Sequence, residues 1–333
     1  MKVAVIGTGY WGPNLIRNFL AADEVEAVVA CDLDNARLAK MQKQFYGIET
    51  ARDYSELFER PDIDIVVIAT PVLTHHEIAK RALSNGKHVF IEKPMTASVT
   101  EAEELINLAE QKNLKLFVDH TFIYTGAVRK MKDIIEAGRL GEIYYFDSVR
   151  INLGLFQHDV NVIWDLAPHD LSIMDYLLQQ QPKTVSAIGS CHVGNDLEDI
   201  AYLTLEFDNN LIAHFHVNWL APVKIRKTLI GGTKSMIVYD DTETSEKVKI
   251  YDKGIDVTTR EGVYDTLVQY RTGDMLSPKL DQEEALSTGT RHFLDCVLNG
   301  DKIMTDGQAG LNVVRILEAS TLSMRDRGRM IEL

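Results

Sequence analysis

The sequence predicts a doubly wound α/β domain over residues 1–120, followed by an α+β domain with a mainly antiparallel sheet over residues 121–333. Three observations predict it. The chain opens on an apolar run, a glycine-rich turn and a second apolar run that ends in an acid. Strand and helix patterns then alternate to about residue 120, as a parallel sheet with crossover helices requires. Beyond that point strand patterns follow one another with few helices between them, as antiparallel neighbours do.

Lys2–Ile6 reads as the first strand, and Gly7, Thr8, Gly9, Tyr10, Trp11 and Gly12 as the turn into the first helix. In a dinucleotide-binding βαβ unit Gly7 supplies the tight turn. Gly9 lets the backbone approach the pyrophosphate, and Gly12 lets helix and strand pack closely. The helix start offers free N–H groups and a positive dipole end to the phosphates. Asp32 lies 20 residues after Gly12, where a carboxylate accepts hydrogen bonds from a ribose diol. G-x-G-x-x-G alone is a weak signal; strand, turn, helix, strand and acid in register are a strong one. Asp32 repels a 2′-phosphate, and Leu33, Asp34 and Asn35 offer no base to hold one, Arg37 being the nearest. The cofactor expected is therefore NAD rather than NADP.

Ile63–Ala69 reads as a buried strand ending at Thr70-Pro71, and His75–Asn85 as a helix stopped by Gly86. Lys87–Ile91 and Leu114–Val118 read as strands, with Val99–Lys112 a helix between them, and Gly126–Ala137 as a helix closed by Gly138. Strands follow at Glu142–Asn152, Thr184–His192, Ile200–Phe207, Leu211–Trp219, Lys224–Ile230, Ser235–Tyr239 and Lys247–Tyr251. Helices at Glu283–Leu298 and Gly307–Arg327 close the chain, separated by Asn299-Gly300.

A hydrophobic content of 45% supports sizeable cores, and a net charge of −14 argues against nonspecific binding to nucleic acid or an anionic membrane. Cys31, Cys191 and Cys296 lie too far apart in sequence to suggest a disulfide framework or a zinc site. His214 and His216 share a strand face with no third ligand in view, so no metal is expected. With no signal-peptide pattern and no bilayer-length apolar run, the expected location is cytoplasmic.

Ligands of open α/β sheets sit beyond the carboxyl ends of the strands. Glu92-Lys93-Pro94 stands at such an end, where Lys93 reaches a reacting oxygen and stabilises its charge. The same residues also read as a solvated charge pair ahead of a helix-starting proline. Trp164 to Asp170 holds Asp165 and His169 four residues apart, with Pro168 suited to the first turn of a helix running to Leu178. A carboxylate beside an imidazole suits general-base work; Asp165 as a helix cap and His169 as a packed or surface side chain is the other reading. His120, after the last α/β strand, suits substrate contact or a structural hydrogen bond. Tyr124, Arg150 and Asn152, near the domain junction, are further substrate-contact candidates.

These motifs in this order resemble the glucose–fructose oxidoreductase, inositol dehydrogenase and rhizopine-catabolism (Gfo/Idh/MocA) family, and the likeness covers essentially the whole chain. The resemblance implies a Rossmann domain and a second domain whose large open sheet packs subunit on subunit, giving a homodimer or homotetramer. It implies a nicotinamide site between the domains. Lys93 would contact substrate and nicotinamide ribose, Asp165 would orient the substrate hydroxyl or the histidine, and His169 would be the base. Thr70, Pro71, His75 and Glu92 would line the cofactor side. Ala167-Pro168 departs from the Gly-x usual before the histidine. The expected activity is NAD-dependent oxidation of a secondary hydroxyl on a sugar ring, nucleotide-linked and attacked at C3, with Arg150, Lys224 and Arg226 as cations for an anionic substrate. A free inositol or aldose dehydrogenase, and a non-catalytic NAD-dependent sensor, are the alternatives.

Overall fold

Val3, Ala4, Val5 and Ile6 are buried on both faces of β1 (Lys2–Ile6), as a central parallel strand requires. Five further strands join it: β2 (Ala27–Cys31), β3 (Glu49–Ala51), β4 (Ile65–Ile68), β5 (His88–Glu92) and β6 (Leu116–Asp119). Their order is β3-β2-β1-β4-β5-β6, and every pairing is parallel. The order reverses between β1 and β4, which places a ligand crevice beyond their carboxyl ends. The connecting helices are α1 (Gly12–Leu20), α2 (Asn35–Gln44), α3 (Tyr54–Glu59), α4 (His75–Ser84) and α5 (Val99–Lys112). Side-chain caps mark the starts of three of them: Asp34 for α2, Asp53 for α3 and Ser98 for α5.

The structure is a computed structural model that describes residues 1–154, 159–193, 197–252, 254–258, 267–271 and 273–333. Met1–Tyr124 and Glu283–Glu318 form one unit, Thr125–Gln282 and Ala319–Leu333 the other. In the first unit the open edge of β6 is covered by the later segment: Val118 N–H donates to the Thr305 carbonyl at 2.8 Å. This blunts a strand edge that would otherwise be free to pair.

The second unit contains α6 (Gly126–Glu136), β7 (Ile143–Leu153), α7 (Val162–Leu178), β8 (Thr184–Ser190), β9 (Ile200–Glu206), β10 (Ile212–Asn218), β11 (Leu220–Gly232), β12 (Met236–Asp240) and β13 (Val248–Tyr251). Two short strands, β14 (Gly254–Thr258) and β15 (Leu267–Arg271), pair with each other. The short β16 (Met275–Leu276) and β17 (Ile331–Glu332) edge the main sheet, whose order is β16-β13-β12-β11-β7-β10-β9-β8-β17. It is antiparallel except at β7–β10, a parallel pair that strand-after-strand reading did not foresee. The helix α7 packs against β7, β9 and β10. On the strands Ala201, Leu203, Leu205, Ala213, Phe215 and Val217 are buried. Ile188, Tyr202 and Ile212 alternate outward and are exposed. On that outer face the His216 ring stacks on Tyr202 at 4.4 Å, and His214 lies 3.2 Å from Thr204 Oγ1. The chain ends with α8 (Ala285–Asn299) and α9 (Gly307–Arg325). No helix among the described residues is long and apolar enough to cross a membrane.

Candidate active site

In the glycine loop, a Cβ on Gly7 (φ +94°) would lie 2.5 Å from the Ala69 carbonyl oxygen, and one on Gly12 would lie 2.1 Å from the Gly7 oxygen. Neither position admits a side chain. At Gly9 a Cβ would meet nothing nearer than Arg37 Nη1 at 3.7 Å, so the loop keeps an open face. That open face, with the first-turn N–H groups of α1 behind it, fits a dinucleotide pyrophosphate. Tyr10 projects into solvent and stacks with Trp11.

Asp32 accepts hydrogen bonds from Thr8 N–H (2.8 Å), Thr8 Oγ1 (2.9 Å) and Asp34 N–H (3.0 Å). A carboxylate has about four acceptor positions, so capacity for a ribose hydroxyl remains. Burial opposes its charge, but these donors and Arg37 outweigh burial and hold its pKa below the usual carboxylate value. Arg37 lies 3.6 Å from Asp32. Asp32→Ala removes the ribose acceptor and leaves this guanidinium beside the vacated position. The expected result is NAD affinity lower by about tenfold or more, with NADP affinity less affected. The ratio of the two dissociation constants checks this, because general damage to the loop changes both alike.

At the next strand end, Thr74 Oγ1 lies 2.7 Å from both Thr70 Oγ1 and the Pro71 carbonyl. His75, expected on the cofactor side, is 1% exposed. Its Nε2 lies 2.8 Å from the Thr70 carbonyl and its Nδ1 3.0 Å from the Pro94 carbonyl. The ring therefore braces the loop after β4 against the loop carrying Lys93, and burial lowers its pKa. Lys93 itself is half-buried, and its charge faces Glu92, Asp119 and His120. His120 is 1% exposed, and neither ring nitrogen has a hydrogen-bond partner among the described residues. Burial first, and then the Lys93 charge, push its pKa down to about 3. Tyr124 is buried, with its hydroxyl 3.0 Å from Thr305 Oγ1.

In the second unit α7 starts at Val162, where the Asn161 side chain accepts from Trp164 N–H at 3.3 Å. This corrects the expectation that Pro168 opens the helix: it lies inside it. A buried proline forfeits one backbone bond, but Leu166, Ala167, Leu171, Ile173 and Met174 are buried along the same helix, and that burial carries it through. Asp165 and His169 are thus both helical and share a face. The Asp165 carboxylate accepts from Trp219 Nε1 at 3.0 Å, and Trp219 is 1% exposed. Asn152 and Trp219 both flank Gly154, so Asn152 lies near this corner. Arg150, expected from its position in the chain to contact substrate, is instead buried in a two-pronged pair with Asp170, at 2.6 and 2.9 Å.

Trp219 and Asp119 were not singled out by the sequence. A signal for Asp119 was present: it ends the strand next to the one that Glu92 ends. Nothing local marked Trp219.

A family model described as an oxidoreductase family with an NAD-binding Rossmann fold matches residues 1–120, and a GFO/IDH/MocA C-terminal domain model matches residues 128–238. An uncharacterised oxidoreductase of Streptococcus pneumoniae is 28% identical over 64% of this chain, which spans 61% of that protein's length. The scyllo-inositol 2-dehydrogenase (NAD(+)) of Bacillus subtilis is 26% identical over 98% of this chain and 94% of its own. The structure of UDP-N-acetylglucosamine 3-dehydrogenase GnnA from Acidithiobacillus ferrooxidans is similar in fold, with a TM-score of 0.80 and 24% identity over 98% of each chain. Loop sterics, the Asp32 position and both domain matches agree: the chain belongs to the Gfo/Idh/MocA oxidoreductase family, with an NAD-binding Rossmann fold.

Proposed function

We propose that the chain is an NAD-dependent dehydrogenase that oxidises a secondary hydroxyl of a sugar ring or cyclic polyol. The observation that carries this is Asp165 and His169 on one face of α7, with Asp165 anchored by Trp219. A cofactor sensor has no need of such a base. NAD, when bound, supplies the hydride acceptor. His169 takes the hydroxyl proton, and Asp165 orients the pair and stabilises the ring cation. Lys93 stabilises the oxygen as it gains negative charge. His120, neutral at working pH, offers a donor or an acceptor to a polar ligand group rather than acting as a base.

Local charge favours a free polyol over a nucleotide-linked sugar. Of the three cations expected to serve a diphosphate, Arg150 is paired with Asp170 and Arg226 with Asp241, while Lys224 is exposed. The test is absorbance at the NADH band with NAD and a panel of inositols, free aldoses, and UDP- and dTDP-sugars. Reduction with free polyols supports this reading. Reduction with nucleotide sugars alone restores the nucleotide-linked substrate. No reduction by any of them, with NAD still bound, favours a sensor.

A further inference from the structure

Parallel strands β5 and β6 end in register, and the register pairs Glu92 with Asp119. Their surroundings are unequal. Asp119 Oδ1 accepts from Thr121 Oγ1 at 2.8 Å, and Oδ2 lies 3.5 Å from Trp11 Nε1 of the glycine loop. Glu92 Oε2 receives the Lys93 backbone N–H at 3.2 Å, and the buried Oε1 has no hydrogen-bond partner among the described residues. Two carboxylates side by side, Asp119 buried and Glu92 half-buried with its Oε1 out of water, repel and cannot bond to each other; a single proton turns that repulsion into a hydrogen bond. The better-donated member keeps the charge.

We propose that Glu92 and Asp119 share one proton, Glu92 as the acid and Asp119 as the carboxylate, and that this pair positions Lys93. The pair then carries one negative charge, which matches the single ammonium facing it. The other groups facing it, Trp11 and Thr121, are neutral donors. Burial and repulsion by Asp119 push the Glu92 pKa well above the usual carboxylate range; burial raises Asp119 too, opposed by its hydrogen bond from Thr121.

The role given to Lys93 rests on the dehydrogenase reading, whereas the proton is tested without any substrate. Infrared spectra of the full chain at neutral pH are expected to show a protonated-carboxyl C=O stretch that Glu92→Gln removes. Absence of that band, or its survival in Glu92→Gln, overturns the shared proton. Glutamine mimics the neutral acid, so Glu92→Gln is expected to lower kcat less than the loss of the Asp119 charge does. Asp119→Asn removes the charge opposite Lys93 and is expected to lower kcat by about tenfold or more, with the NAD dissociation constant little changed. Equal losses, or the reverse order, overturn the assignment of acid and carboxylate. If the substrate panel yields no turnover, the infrared result still decides whether the proton is there.

Discussion

Replacing His169 with alanine is expected to lower turnover by about a hundredfold or more while leaving NAD affinity unchanged. The two readouts separate because His169 lies on α7, whereas the glycine loop and Asp32 belong to the other unit. The ring is half-buried, so its loss leaves a small gap rather than an open core. Asp165→Asn, which keeps the acceptor for Trp219 but removes the charge that stabilises a histidine cation, is expected to lose less than His169→Ala. Stopped-flow NADH formation under saturating NAD is the measurement. Unchanged turnover in His169→Ala removes the base from His169.

Asp170→Ala is expected to destabilise the second unit by about 3–5 kcal/mol, because it leaves the Arg150 guanidinium buried without its carboxylate. Arg150 and Asp170 side chains are 2% and 5% exposed, so water does not replace the lost partner. The double variant Arg150→Met with Asp170→Leu is expected to recover much of that loss, since apolar residues of similar volume often match a buried pair. Urea unfolding of the three proteins measures both effects. A double variant as unstable as Asp170→Ala would mean that the pair contributes net stability beyond mutual neutralisation.

Much of the first unit is legible in the sequence because its signals are local. Val99–Lys112 is a helix over the residues that the pattern predicts. Gly12 is required by a contact within its own turn, with the Gly7 oxygen, whereas the Gly7 contact is with Ala69, just past β4. Pro168 misleads because a proline suits a helix start, whereas the Asn161 cap earlier in the chain starts α7 and buried neighbours carry it past the proline. Arg150 misleads because an arginine in sequence shows no partner; its carboxylate, Asp170, lies 20 residues on and one element away. The parallel β7–β10 contact is hidden for the same reason, since strand order is set by pairing between distant segments.

The sequence by itself determined the βαβ start, the NAD-compatible loop with Asp32, and the change from parallel to mainly antiparallel sheet. Each follows from hydrophobic periodicity or from the spacing of glycines and acid along the chain. Only the tertiary structure decided which partner each polar group meets: Trp219 for Asp165, Asp170 for Arg150, Asp119 beside Glu92, and none among the described residues for the ring of His120. Those assignments depend on strand register and burial, which bring together residues far apart in the chain. In a buried setting the presence or absence of one partner changes whether a group holds charge, donates a proton or awaits a ligand.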